Sequence, residues 1–271
     1  MRKVVDANYL RHPDLDKYLL SDRQNIAVLT DFACMESYKG DALEVIAKNT
    51  EILSRHSNQV EVLKATQHII ALQDTHPSAT VDQLVDPKQT TGFAWFCKHV
   101  KRAVRGDGRI RTQIMEHGRA ASAHFDKARK DAVTLADAIS EVTRSFGPAH
   151  VRALRTGMPL SPEAAQEMMK LILGVAAEIF ASHPLGLTGP QEAKRLLGTY
   201  VFRYSLAACS LAARWISVGG AQMVKPDRLA NDITDMTYVA YATFFDGLLS
   251  KDQKVVEIYD ECRFLLDEVF V

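Results

Sequence analysis

Lys3-Val4-Val5-Asp6-Ala7-Asn8 places a carboxylate directly after a short apolar run. Ile26-Ala27-Val28-Leu29 is a second such run closed by polar residues, and Gly247-Leu248-Leu249-Ser250, followed by Lys251-Asp252, is a third. Short apolar runs closed by polar residues suit buried strands of a parallel sheet. The stretches beside them carry helical spacing, so the chain opens β-α-β and closes α-β-α, and the predicted sheet is assembled from both termini. Acids at these strand ends have a chemical consequence. A parallel sheet gathers its carboxyl ends along one edge, where carboxylates can together hold a hard divalent cation.

A chain of 271 residues suits one large domain or a domain carrying a long insertion, and it is ample for a substantial core. Its 47% apolar and 24% charged residues are those of an ordinary globular protein. With 33 basic and 33 acidic residues the formal charge is +0, so the total alone argues for neither a nucleic-acid nor a membrane partner. The start, Met1-Arg2-Lys3, meets charge before any apolar run long enough for a signal peptide, and the most apolar region, Tyr204 to Gly220, is interrupted by Arg214. A cytoplasmic protein without a membrane partner is expected. Cys34, Cys97, Cys209 and Cys262 stand singly, which leaves a zinc ribbon, a redox pair and a disulfide framework unsupported. The glycine-rich fingerprints of nucleotide binding, the G-x-S-x-G elbow and the H-E-x-x-H pair are absent.

The centre reads as helical. From Asp41 to about Leu72, Arg109 to Phe146, Ser161 to Ser182 and Gln191 to Val218, apolar residues recur at helical spacing. Ser161-Pro162-Glu163 supplies a helix start, with serine as N-cap and proline at the first helical position. Gly147-Pro148, Gly157-Met158-Pro159, the segment from His183-Pro184 to Gly189-Pro190, and Gly219-Gly220 supply breaks, and Gly106-Asp107-Gly108 a turn. An all-helical insertion over 41–225 is therefore expected within an α/β domain made of 1–40 and 226–271.

Four acidic sites then stand in order: Asp6 after the first strand, Glu36 opening a helix after the second, Asp232 and Asp235 in Asn231-Asp232-Ile233-Thr234-Asp235, and Asp252 after Ser250-Lys251. With Val4-Val5-Asp6-Ala7-Asn8 and the seventeen residues from Asp235 to Asp252, this order resembles the PIN-like nuclease family over about a third of the chain. The resemblance implies a three-layer α/β domain with a central parallel sheet. It assigns Asp6, Glu36, Asp235 and Asp252 as the acidic cluster that binds Mg²⁺ or Mn²⁺, with Asp232 competing with Asp235, and makes Ser250 the small hydroxyl residue before the final aspartate. It further implies cleavage of single-stranded RNA in preference to DNA, in the setting of a toxin or defence effector. The chain departs from compact members of that family in its long helical centre, which bears on substrate choice, on a protein partner or inhibitor, and on homo-oligomer geometry.

A basic stretch supports a polyanionic substrate. Lys98, Lys101, Arg102, Arg105, Arg109, Arg111, Arg119, Lys127, Arg129 and Lys130 face only Asp107, Glu116 and Asp126, which suits phosphate binding by counterion release. His99, His117 and His124 lie in the same stretch, and a solvated helix face is the plainer reading of it. Phe93, Trp95 and Phe96 precede it, as base-stacking groups or, more plainly, as an apolar anchor. Singly, Asp31, Asp232 and Asp235 also suit helix N-termini. The rival to a nuclease is a non-catalytic binding or scaffold protein whose helical centre docks a partner while the acids only cap helices.

Overall fold

The computed structural model describes residues 1–38, 42–123, 126, 151–152, 161–217 and 225–269. Its sheet has four strands, β1 (Arg2–Val5), β2 (Ile26–Leu29), β3 (Val60–Val62) and β4 (Leu248–Leu249), in the order β3-β2-β1-β4. Every pairing is parallel, with Val4 opposite both Val28 and Leu248. The three strands expected from apolar runs are present. Val60-Glu61-Val62 was expected inside an all-helical insertion and is instead the fourth strand, so the sheet is not built from the termini alone. Three residues are too few for a period of two to stand out, and the pairing of Leu29 with Val62 completes them as a strand.

Local signals explain the helices that flank the sheet. Helix α1 (Pro13–Ser21) starts with proline in its first turn after His12, whose ring accepts from the Asp14 amide. Helix α2 (Asp31–Glu36) is capped by Thr30, whose hydroxyl accepts from Ala33 N at 3.1 Å. Helices α3 (Ala42–Thr50), α4 (Thr66–Thr75) and α5 (Val81–Leu84) follow. Helix α6 (Pro87–Val104) opens on Asp86, which accepts from Gln89 N at 2.9 Å, and proline again sits in the first turn. The core beneath them joins Val5, Ala27 and Leu29 of the strands to Leu15 and Leu19 of α1 and to Phe93 and Cys97 of α6. Each such fully buried aliphatic or aromatic side chain stabilises by about 1.5–3 kcal/mol. Phe93 is thus an apolar anchor, as expected.

Two compact units divide the chain: Met1–Ile69, Ala79–Asp126 and Tyr241–Val256 form one, and Ile70–Ser78, Lys127–Ala240 and Glu257–Val271 the other. Their limits differ from the boundaries expected at 40 and 226. The first holds the whole sheet, and within it Gly106 adopts φ 105° between α6 and the helical residues 108–123, so the expected turn is present. In the second, helix Pro162–Ala181 packs against helix Tyr200–Ser217. Ser161 caps the former by accepting from Ala164 N at 3.3 Å, as its sequence indicates. Arg214, the one charge that interrupts the apolar run, pairs with Glu257 at 2.8 Å. Gly189, at φ 70°, lies so close to the Phe180 ring that an added Cβ would stand 2.6 Å from it. The breaks expected at Gly147-Pro148, Gly157-Met158-Pro159 and Gly219-Gly220 lie outside the described residues. Among the described residues no helix is long and apolar enough to cross a membrane.

Candidate functional site

The strand order changes direction at β1, which has β2 on one side and β4 on the other. In open parallel sheets the carboxyl ends beside such a switch point form a natural crevice. Asp6 leaves β1 at that point, and its amide donates to Leu249 O at the end of β4 at 3.0 Å. The Asp6 side chain is only 2% exposed. Ser250 Oγ donates to Asp6 Oδ2 at 2.6 Å, and Asn8 N donates to Oδ1 at 3.3 Å. Two further bonds tie the loops together: Asp252 N donates to Ser250 Oγ at 3.1 Å, and Lys251 N donates to Asn8 Oδ1 at 3.3 Å. The structure thus connects Asp6, Asn8, Ser250 and Asp252 through hydrogen bonds.

Burial is the largest influence on the Asp6 carboxyl and pushes its pKa above the ordinary carboxylate value. The hydrogen bonds from Ser250 and Asn8 oppose the rise, and the nearby negative charge of Glu36 adds to it. Glu36 is therefore within electrostatic reach of Asp6. It was expected to open its helix and instead closes it: the Thr30 cap starts α2 at Asp31, and Glu36 is the last helical residue. Asp252 precedes helix Gln253–Phe264, and its Oδ1 accepts from Lys254 N at 2.9 Å. That contact is of the capping kind, so Asp252 satisfies a helix end while standing beside the Asp6 loop.

Asp232 and Asp235 lie in the second unit, inside helix Pro226–Ala242. Both acids were expected at a helix start, with Asp232 competing with Asp235. Pro226 opens the helix earlier, since proline at a first-turn position sacrifices no intrahelical bond. Asp232 is 5% exposed and accepts from the Trp215 indole at 3.3 Å. Among the described residues no three His, Cys, Asp or Glu side chains are grouped closely enough to hold a metal ion.

Lys98, Lys101, Arg102, Arg105, Arg109, Arg111 and Arg119 are all exposed, on α6, on the turn that follows it and on residues 108–123. Arg102 pairs with Asp107 at 2.7 Å. His124, Lys127, Arg129 and Lys130 lie outside the described residues. Trp95 is 64% exposed and its ring is tilted against His99, with centroids 3.5 Å apart.

Two residues that sequence reasoning passed over take part in the hydrogen bonding at the strand ends. Asn8 holds the Lys251 amide, and its place two residues after Asp6 was the available signal. Asp31, treated only as a helix-start acid, accepts from Thr66 N at 2.7 Å and from Thr66 Oγ1 at 2.8 Å, and that hydroxyl lies 2.9 Å from Tyr241 Oη. Burial raises the Asp31 pKa against those bonds and pushes the Tyr241 phenol well up, with Asp31 adding to the latter. Comparison of the chain with protein-family models, with curated proteins and with solved structures finds no match.

Proposed function

We propose that the strand-end site of the first unit is a PIN-like, Mg²⁺- or Mn²⁺-dependent phosphodiesterase site whose substrate is single-stranded RNA. The observation that carries this reading is a carboxylate at the β1–β4 switch point that is almost wholly buried, bridged to Ser250, and exposed to the like charge of Glu36. A buried acid with a raised pKa in a crevice is a candidate functional group, and Asp6 also caps the short helix Ala7–Tyr9 by accepting from Asn8 N.

The donor chemistry fits a magnesium-type ion although no three carboxylates are grouped among the described residues. Such an ion keeps several waters and is commonly held by one or two carboxylates together with substrate phosphate. Asp6 and Glu36 would supply the carboxylates, with Asp252 beside them on the β4 loop. The ion, when bound, would polarise the scissile phosphate and acidify a water. The chain's own contribution is positioning. Ser250 holds the Asp6 carboxylate in one orientation by a short charge-assisted bond, and Asn8 locks the Lys251 backbone beside it. The exposed lysines and arginines of α6 and residues 108–123 would hold phosphates by charge alone.

Cleavage of a labelled single-stranded RNA, with the matching DNA in parallel, tests the reading. Cleavage in Mg²⁺ or Mn²⁺ that ceases with chelator and in Asp6→Asn is the expected result. Turnover that persists in excess chelator or in Asp6→Asn overturns it. Absence of cleavage by the intact chain would favour the binding or scaffold role, in which Asp252 only caps its helix.

A further inference from the structure

The first unit contains a cavity of about 710 Å³ that the acidic site does not use. Its walls come from α2, α3, α6 and the ends of β2 and β3, with Ala33, Ile46, Leu29, Val62 and Phe93 as apolar lining. Three of the polar side chains on the wall, Ser37, Asn49 and Thr50, are already engaged. Ser37 Oγ donates to Ala33 O and accepts from Asn49, and Thr50 Oγ1 donates to Ile46 O. Burial pushes the Cys34 thiol up to about 12, which favours its neutral form. The wall therefore offers mainly apolar contact.

The rim differs from the wall. Lys88, Gln89, Trp95 and His117 line the cavity and are exposed, so they mark its mouth. Among the described residues Lys88 is the only lining residue with a permanent charge, and no described aspartate or glutamate lines the cavity. At Gly92, in the interior of α6, an added Cβ would meet nothing within 4 Å. Glycine is unfavourable inside a helix, and this one leaves the wall open where any side chain would narrow it.

The cavity is open at its rim, so without a ligand its apolar wall faces water, and a ligand that displaces this water gains the burial of that surface. The volume lies within the 300–1,000 Å³ typical of small-molecule sites, roughly five times a cavity of about 150 Å³ that takes up benzene. We propose that this cavity binds an anionic amphiphile, with the apolar body among Leu29, Ile46, Val62 and Phe93 and the single negative head beside Lys88. The proposal is independent of the acidic site.

The second tryptophan, Trp215, lies in the other unit, so Trp215→Phe leaves Trp95 as the sole reporter at the mouth. In that background dodecanoate, dodecanol and dodecyltrimethylammonium are titrated below their micelle concentrations. Dodecanoate should shift Trp95 emission saturably and bind more tightly than the cation. Lys88→Glu should weaken dodecanoate by about tenfold while leaving dodecanol nearly unchanged, and Gly92→Phe should abolish binding of both. No saturable shift with dodecanoate, equal binding of anion and cation, or unaltered affinity in Gly92→Phe overturns the proposal. If circular dichroism shows that Gly92→Phe loses its helices, the Lys88→Glu comparison decides alone.

Discussion

Asp6 and Asp31 are both acids just beyond buried strands, and burial raises the pKa of both, yet their partners separate them. Asp31 binds the backbone and hydroxyl of Thr66, so Asp31→Ala leaves buried donors without acceptors, and denaturant unfolding should show a loss of about 1–3 kcal/mol. Asp6 stands in the field of Glu36 and accepts from a serine that asparagine can also satisfy. Between the ordinary carboxylate pKa and the raised one, the folded chain keeps a proton that the unfolded chain has released. Stability therefore falls as pH rises through that window, and the penalty is fully present above it. Asp6→Asn removes the penalty, so its melting temperature at neutral pH should exceed the parent's and the fall with pH should flatten. A melting temperature lowered across the whole pH range would make Asp6 a structural cap.

At the scale of elements, α6 separates intrinsic helix preference from the demands of the cavity beside it. Gly92→Ala adds a methyl into open space in a helix interior and should stabilise by about 0.5–1 kcal/mol, read from thermal melts; a loss would mean that the space is needed by a neighbour. How much the sequence revealed also divides by element. Strands β1, β2 and β4 were readable because each is an apolar run closed by polar residues, and the Ser161-Pro162 start was readable because cap chemistry is local. Strand β3 was not, since Val60-Glu61-Val62 becomes a strand only by pairing with β2, far away in sequence. Helix limits were misjudged where a cap was overlooked: Thr30 moved the start of α2 to Asp31 and made Glu36 its end, and Pro226 left Asp235 in a helix interior. The order of strand-end acids was legible from the sequence, whereas the Asp31–Thr66 contact was hidden by the separation of 35 positions between its partners. The cavity left only Gly92 as a trace, and a lone glycine in a helix has many readings.

For the molecule as a whole, a formal charge of +0 conceals a segregated basic surface, and that surface makes its own prediction. Reversing Arg105, Arg109 and Arg111 to glutamate should weaken RNA binding and lower the salt slope, which falls by roughly 0.7 per lost phosphate contact on a single strand; an unchanged slope would assign this surface to something other than phosphate. Metal binding makes the most discriminating whole-molecule prediction, because an ion that binds only the folded chain raises global stability by mass action, about 2.7 kcal/mol at a hundredfold excess over its Kd. If Asp6 and Glu36 hold the ion, Mg²⁺ or Mn²⁺ should raise the melting temperature of the parent and leave Asp6→Asn unmoved. Proton and metal compete for the same Asp6 oxygens, so the raised pKa has a second effect: metal stabilisation should shrink as pH falls through it, at a higher pH than an ordinary exposed aspartate would require. A surface cluster of carboxylates would bind weakly and lose the ion only in stronger acid. Melting curves with and without metal across pH 4 to 8 therefore distinguish a site built on Asp6 from adventitious binding, and a metal-induced shift that is the same in Asp6→Asn, or independent of pH in that range, rules out the buried carboxylate as a ligand.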